Sequence, residues 1–223
     1  MVAPQPLAEP LRFGTMNPAS YAAENWARRI GFKRIAGTDE AGRGALAGPL
    51  VAAAVVLPPR ERHELEGLAD SKSLTPGRRR ELFYRITAIA ESWSYACISP
   101  RDIDNDGLQA ANAAAMRVAV RSLSPPPDLV LVDYYRLESL EIPQWSLVHG
   151  DRVSRSVAAA SILAKVIRDH LMLCWWVRYP EYGFEKHKGY GTSSHRRAIA
   201  EHGPAPCHRG SFRGVLQMDL GFE

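Results

Sequence analysis

The 23 residues from Ser154 to Trp176 read as one long helix that is apolar nearly all the way round. Such a helix has no face to offer water and belongs inside a fold. Its Ala158-Ala159-Ala160-Ser161 segment lets a neighbouring element approach closely. The chain offers two fitting neighbours. Asp128-Leu-Val-Leu-Val-Asp133 is a short strand of unbroken apolar residues, and Gly48 to Leu57 is a run of Val, Ala and Leu closed by Pro58-Pro59. Strands of this kind are covered on both faces. A buried helix against buried strands requires a layered α/β domain.

The remaining pattern fits that class. Tyr21 to Ile30 reads as a short helix, and Arg34 to Glu40 as a strand paired antiparallel with the Gly48 to Leu57 run. Asp70 to Leu74 is a polar loop. Thr75-Pro76 opens a helix, Thr as cap and Pro at the first helical position, running to about Ala90. Trp93 to Ile98 alternates as a strand, and Asp106 to Leu123 forms an Ala-rich helix ended by Pro125-Pro126-Pro127. Trp145 to Val148 gives another short strand, and Ser193 to His202 a helix. The expected organisation is a Pro-rich tail and short helix over 1–30, a main domain with a mixed sheet over 31–178, and a basic C-terminal part over 179–223 in the same compact unit.

Composition excludes several classes. With 46% hydrophobic and 23% charged residues the chain can build a core, and is not disordered or fibrous. Its three cysteines, Cys97, Cys174 and Cys207, are too few and too widely spaced for a disulfide framework, and suit a reducing compartment, the cytoplasm. No apolar stretch is long enough to span a membrane, and Met1 to Pro18, with four prolines, lacks the layout of a signal peptide. The net charge of +4 hides an asymmetry: Lys165 to Arg213 holds nine Lys or Arg against four acids, with five of the seven histidines. A basic stretch of that kind suits a polyanion.

The acids suit a different task. Asp39 and Glu40 end the first strand, Asp133 ends the Leu-Val-Leu-Val strand, and Asp151 follows His149-Gly150 before the long helix. Carboxylates beside apolar runs need partners or a metal. An oxygen-only donor set selects a hard cation, Mg²⁺ or Mn²⁺. Two such ions about 3.5–4 Å apart clamp the oxygens of a phosphodiester displacement. Taken singly, Asp151 also reads as a helix cap and Asp133 as the start of a turn. Gly42-Arg43-Gly44 follows the paired acids after one residue, and glycines there let backbone amides approach a ligand.

Together these segments resemble the ribonuclease HII family, the type 2 ribonucleases H. The matching segments are Gly37-Thr-Asp-Glu-Ala-Gly-Arg-Gly-Ala-Leu-Ala-Gly-Pro49, Asp70-Ser71-Lys72-Ser-Leu74, and Gly150-Asp151 with Ser154 to Asp169. Further matches are Tyr182 to His195, containing His187-Lys188-Gly-Tyr190, and His208-Arg209-x-Ser211-Phe212. The resemblance runs in family order from about residue 33 to 213. It implies an RNase H-like mixed β-sheet flanked by helices, with a helical C-terminal part. It implies hydrolysis of the RNA strand of RNA–DNA hybrids and cleavage 5′ to ribonucleotides in duplex DNA, leaving 3′-hydroxyl and 5′-phosphate ends. By position, Asp39, Glu40, Asp133 and Asp151 would be the catalytic, metal-binding acids. Gly42, Arg43 and Gly44 would read the 2′-hydroxyl side of the ribonucleotide, and Tyr190 would pack on the neighbouring sugar. Lys72, His187 and Lys188, in motif loops, are the candidates for phosphate contacts.

Other readings are weaker. A non-catalytic hybrid-binding module would lack one of the acids. Ribonuclease HIII would carry a sizeable N-terminal domain, for which about thirty residues are too few. Another two-metal nuclease would not require Gly-Arg-Gly together with Tyr190. Asp169, far along the helix from Asp151, is expected to pair with a nearby Arg; Trp175-Trp176 reads as core, and Arg78-Arg79-Arg80 as a solvated face. His195, His202, Cys207 and His208 fit no standard zinc spacing. The protein is expected to act as a monomer, with no membrane partner. Gln217 and Met218-Asp219-Leu220-Gly221-Phe222 loosely match a peptide that binds a sliding clamp.

The chain departs from the family pattern at Tyr134, where Gly usually follows the third acid, and at His149, where Lys usually precedes Gly-Asp.

Overall fold

The computed structural model describes residues 11, 19–60, 62–68, 71–133 and 136–216. Most of the Pro-rich tail, Asp70, Tyr134 and the clamp-like segment from Gln217 lie outside the described residues. Five strands form one mixed sheet: β1 (Ile35–Ala41), β2 (Leu50–Val56), β3 (Ser92–Ile98), β4 (Leu129–Asp133) and β5 (Gln144–Leu147), in the order β3-β2-β1-β4-β5. β2 runs antiparallel to both β1 and β3, while β4 is parallel to β1 and to β5. Every residue of β2 is buried, as its unbroken apolar run requires of a strand covered on both faces.

Helices supply those covers. Val51, Ala53 and Val55 of β2 pack with Leu82 and Ile86 of α2 (Pro76–Ile89) and with Ala159 and Leu163 of α6 (Arg155–Arg178). On the opposite face, Leu50, Ala52, Ala54 and Val56 pack with Ala115, Met116 and Val120 of α4 (Leu108–Arg121). α1 (Ala22–Arg29) closes the β4–β5 side, Ala23 and Ala27 against Leu129, Leu131 and Trp145. Local signals set the helix starts. Thr75 accepts the Arg78 amide at 3.3 Å, with Pro76 next in line, and Ser154 accepts the Val157 amide at 3.2 Å.

The start of α6 is pinned to the sheet and to α1. A Cβ on Gly37 of β1 would stand 2.1 Å from the Ser156 carbonyl carbon, so only glycine lets helix and strand approach this closely. Glu24 of α1, fully buried, accepts the Ser154 hydroxyl at 2.7 Å and the Ser156 amide at 2.8 Å.

The Ala-rich helix expected over Asp106 to Leu123 is α4, and a further helix, α3 (Pro100–Asp106), precedes it, separated by Gly107 with φ 84°, whose positive-φ backbone turns the chain. Three expectations need correction. The long helix is buried throughout only from Ser156 to Ala164. Beyond that it buries one stripe, Arg168 and Met172, and leaves Val177 77% exposed, because it outruns the sheet. Trp176 is accordingly exposed, while Trp175 is half-buried and stacks on Tyr179 at 5.9 Å. Asp169 pairs with Lys165 one turn earlier, at 2.7 Å, and not with an arginine.

The C-terminal part consists of α7 (Phe184–His187) and α8 (Ser193–His202) with their loops. Its Phe184, Ile199 and Cys207 share an apolar cluster with Leu46, Ala47 and Met172.

Gly37→Ala forces α6 off β1 and should lower stability by about 3 kcal/mol, the upper end of the usual cost of overpacking. Urea unfolding measures it; a change below about 0.5 kcal/mol would contradict the close approach.

Candidate active site

Strand register brings the acids to one end of the sheet. β1 and β4 are parallel with Thr38 beside Val132, so the next residues, Asp39 two short of the end of β1 and Asp133 at the end of β4, lie on neighbouring strands. β4 also pairs with β5 through Asp133 and Leu147, after which the chain turns at His149 (φ 56°) into the short helix α5 (Gly150–Val153). The Gly150 amide donates to Asp133 Oδ1 at 2.7 Å. Asp151 therefore follows directly on the residue that touches Asp133, in the first turn of α5.

The acids are electrostatically strained. Burial pushes the Asp39 carboxyl well above the usual range; the charges of Glu40 and Asp133 push it further, and bonds from the Glu40 amide and the Ser161 hydroxyl pull it partly back. Burial also raises Glu40, against the nearby Arg43, with Asp133 raising it and Lys72 and a bond from Asn112 lowering it. Asn112 of α4 and Ser161 of α6 reach these acids from opposite faces of the sheet. The Ser161 hydroxyl lies 2.8 Å from that of the buried Ser71 in the Asp-Ser-Lys loop. Carboxyl oxygens that raise one another's proton affinity fit a hard divalent cation, whose charge would offset the repulsion. Among the described residues no three acidic, histidine or cysteine side chains stand close enough to enclose an ion.

The loop after the acids is held by two buried arginines. Fully buried Arg168 of α6 donates to the carbonyls of Pro49, Ala47 and Lys188, each at 3.0 Å. Fully buried Arg209 donates to the Gly48 carbonyl at 3.1 and 2.9 Å and to the Arg43 carbonyl at 3.0 Å. Gly42, at φ 92°, lies so close that a Cβ would stand 1.9 Å from Arg168 Nε. That glycine is needed for packing. Gly44 is exposed, and nothing stands within 4 Å of a Cβ placed on it, which leaves room for a ligand. Arg43 Nη2 donates to Gln109 Oε1 at 2.9 Å.

The same arginines bring Tyr190 to the loop. Ala45 pairs antiparallel with Tyr190, and the Leu46 amide donates to the Gly189 carbonyl at 2.8 Å. The guanidinium of Arg168 lies 5.2 Å and the ammonium of Lys165 5.4 Å from the centre of the half-buried Tyr190 ring. Asp104 of α3 receives the amides of Gly210 and Ser211 at 2.7 and 3.0 Å, anchoring the chain beyond Arg209.

The structure distributes the remaining residues as follows. Lys72 is exposed near Glu40. Lys188, half-buried with φ 51°, donates to the Glu185 carbonyl, and burial lowers its ammonium pKa. His187 accepts the Gly189 amide on Nδ1 at 3.3 Å and faces the Tyr182 carbonyl from Nε2 at 2.8 Å. Both ring nitrogens are thus engaged within the turn that carries Tyr190. His195 and His208 meet at 3.0 Å between their Nε2 atoms, and burial pushes His195 down to about 4. These neutral rings belong to the C-terminal core. Sequence reading assigned no site role to Arg168, Arg209, Asn112 or Ser161, although all but Asn112 lie inside segments that carry the resemblance.

The Ribonuclease HII family model matches residues 36–215. The chain belongs to the ribonuclease HII family. It is 51% identical over 195 residues to the ribonuclease HII of Pelotomaculum thermopropionicum, covering 87% of this chain and 73% of that protein. It is 50% identical over 200 residues to that of Geobacter sulfurreducens, covering 90% and 91%. Among solved structures it resembles ribonuclease H2 from Pyrococcus horikoshii, with TM-score 0.71 and 28% identity over 82% of this chain and 96% of that one. It also resembles Archaeoglobus fulgidus RNase HII in a PCNA:RNase HII complex, with TM-score 0.68 and 26% identity over 84% and 98%. This ribonuclease HII is thus a type 2 ribonuclease H, an endoribonuclease acting on RNA–DNA hybrids.

The strained carboxyls give this ribonuclease HII a testable signature. A raised Asp39 pKa means that the native state holds its proton more tightly than the unfolded chain. That stability is full below the unfolded value of about 3.9 and is lost as pH rises through the folded value. In chelator, Asp39→Asn should therefore melt higher than wild type at about pH 8, the gap closing near pH 4. A variant melting no higher at pH 8 would contradict the strain.

Proposed function

We propose that this ribonuclease HII, besides cutting hybrids, cleaves 5′ to single ribonucleotides in duplex DNA with Mg²⁺ or Mn²⁺. The observation that carries the reading is the direct linkage of Asp39 and Glu40, through Gly42-Arg43-Gly44, to Tyr190. One short segment thus joins the acids to a surface able to sense a sugar. Only the 2′-hydroxyl marks a lone ribonucleotide in DNA. The open backbone at Gly44 and the adjoining Arg43 meet that hydroxyl, and Tyr190 packs on the next sugar.

Asp39, Glu40, Asp133 and Asp151 hold the divalent ions. Bound there, the ions supply Lewis-acid activation of water and charge stabilisation at the phosphate. Asn112 and Ser161 orient Glu40 and Asp39 through their hydrogen bonds. Lys72 and Lys188 hold flanking phosphates, and His187 shapes the turn that presents Tyr190. A water oxygen adds to phosphorus as the P–O3′ bond breaks, leaving a 3′-hydroxyl and a 5′-phosphate. All these residues lie on one chain, in keeping with action as a monomer. Among the described residues no helix is long and apolar enough to cross a membrane; we assign the enzyme to the cytoplasm. The archaeal relative solved with PCNA supports a further proposal, that residues 217–222 engage a sliding clamp.

A DNA duplex with one ribonucleotide should be cut on its 5′ side by wild type and not by Asp39→Asn. Gly44→Ala should fold with unchanged stability yet lose about tenfold or more in kcat/KM, since an added methyl meets only the ligand. Equal cutting of the duplex lacking a ribonucleotide, or full activity of Gly44→Ala, would overturn the reading.

A further inference from the structure

β3 is an edge strand that α2 covers only in part, Phe83 meeting the Trp93 ring edge-on at 6.2 Å. Its residues Trp93 and Tyr95 share the face of Val55 and Ala53, their partners in register, but are 37% and 50% exposed. Tyr84 of α2 is 70% exposed beside them. A groove of about 940 Å³ runs past these rings and past α6 to Tyr190. Its charged lining comprises five Lys or Arg, among them Arg80, Lys186 and Lys188, against two acids, Asp169 and Glu185.

We propose that this groove binds an unpaired nucleic-acid strand continuous with the duplex at Tyr190. Exposed rings interleaved with cations recognise single strands, since bases stack on the rings while cations follow the phosphates. A duplex keeps its base faces stacked within itself and has nothing to lay on Tyr84, Trp93 or Tyr95. The cationic excess selects a polyanion over an apolar peptide. The groove reaches the same Tyr190 that the proposed function places on the sugar, so a strand leaving the active site would enter it. The inference rests on that reading for the direction of the strand, and extends the substrate class to hybrids and duplexes with single-stranded extensions.

The test uses the full chain, a labelled twelve-residue oligothymidine, and hybrids with and without a twelve-residue single-stranded extension. Stacking on two rings implies at least about a tenfold effect. Tyr84→Ala/Tyr95→Ala should weaken oligothymidine binding by that factor. It should also abolish the lower KM of the extended hybrid while leaving the blunt hybrid within about twofold. Both side chains are exposed, and unchanged melting confirms the fold. Undetectable oligothymidine binding by wild type, equal binding by the variant, or equal KM changes for blunt and extended hybrids would overturn the inference, leaving the groove to a protein partner. Blunt-hybrid cleavage and ribonucleotide incision by wild type report on the proposed function separately.

Discussion

Arg168 and Arg209 carry charge into an interior that would reject it, and five backbone carbonyls make their presence tolerable. A buried guanidinium is costly unless its donors are satisfied. Here burial, with the charge of Arg168 adding to it, pushes Arg209 down to about 9, and burial lowers Arg168 as well. Hydrogen bonds to charged groups contribute about 1.5–3 kcal/mol each. Such a network is sensitive to geometry. The carbonyls of Arg43, Ala47, Gly48, Pro49 and Lys188 must all converge, which fixes both the loop after β1 and the approach of the C-terminal segment.

That constraint links the two halves of the site. The acids need only β1, β4 and the turn before α5, all set by sheet register and by the contact of Gly150 with Asp133. The loop at Arg43 and Gly44 and the Tyr190 ring, the proposed sugar-sensing surface, are distant in sequence, and the arginines bring them together. Because Asp39 and Glu40 run directly into the loop that Arg168 and Arg209 hold, acids and loop keep one relative position. The basic surplus of the C-terminal stretch is therefore divided: two of its arginines are internal fasteners, and exposed groups such as Lys186 remain to face a polyanion.

The placing of Asp39, Glu40 and Asp133 at one end of the sheet was legible because a carboxylate beside an apolar strand is tolerated there only with a hydrogen-bonding partner or a cation. Most elements were legible for a similar reason, since unbroken apolar runs and Thr-Pro or Ser caps are local signals. What was not legible depends on burial. An arginine in a motif reads as solvated or phosphate-bound, and nothing local marks Arg168 or Arg209 as internal. Gly42 reads as a ligand-binding glycine, yet it is the guanidinium of Arg168 that excludes a side chain there. Nothing local shows that both His187 nitrogens are engaged within the protein. α3, with the anchoring Asp104, was not legible because its seven residues are mostly polar and show too short an apolar pattern to mark a helix.

Amide hydrogen exchange of Arg209→Met against wild type tests the fastening role most directly. The substitution keeps much of the apolar volume and removes the donors to Arg43 and Gly48. The account predicts faster exchange confined to residues 43–49 and 189–211, with β1, β2 and β4 as protected as before. Unchanged exchange in those segments, or a loss spread evenly over the sheet, would contradict it.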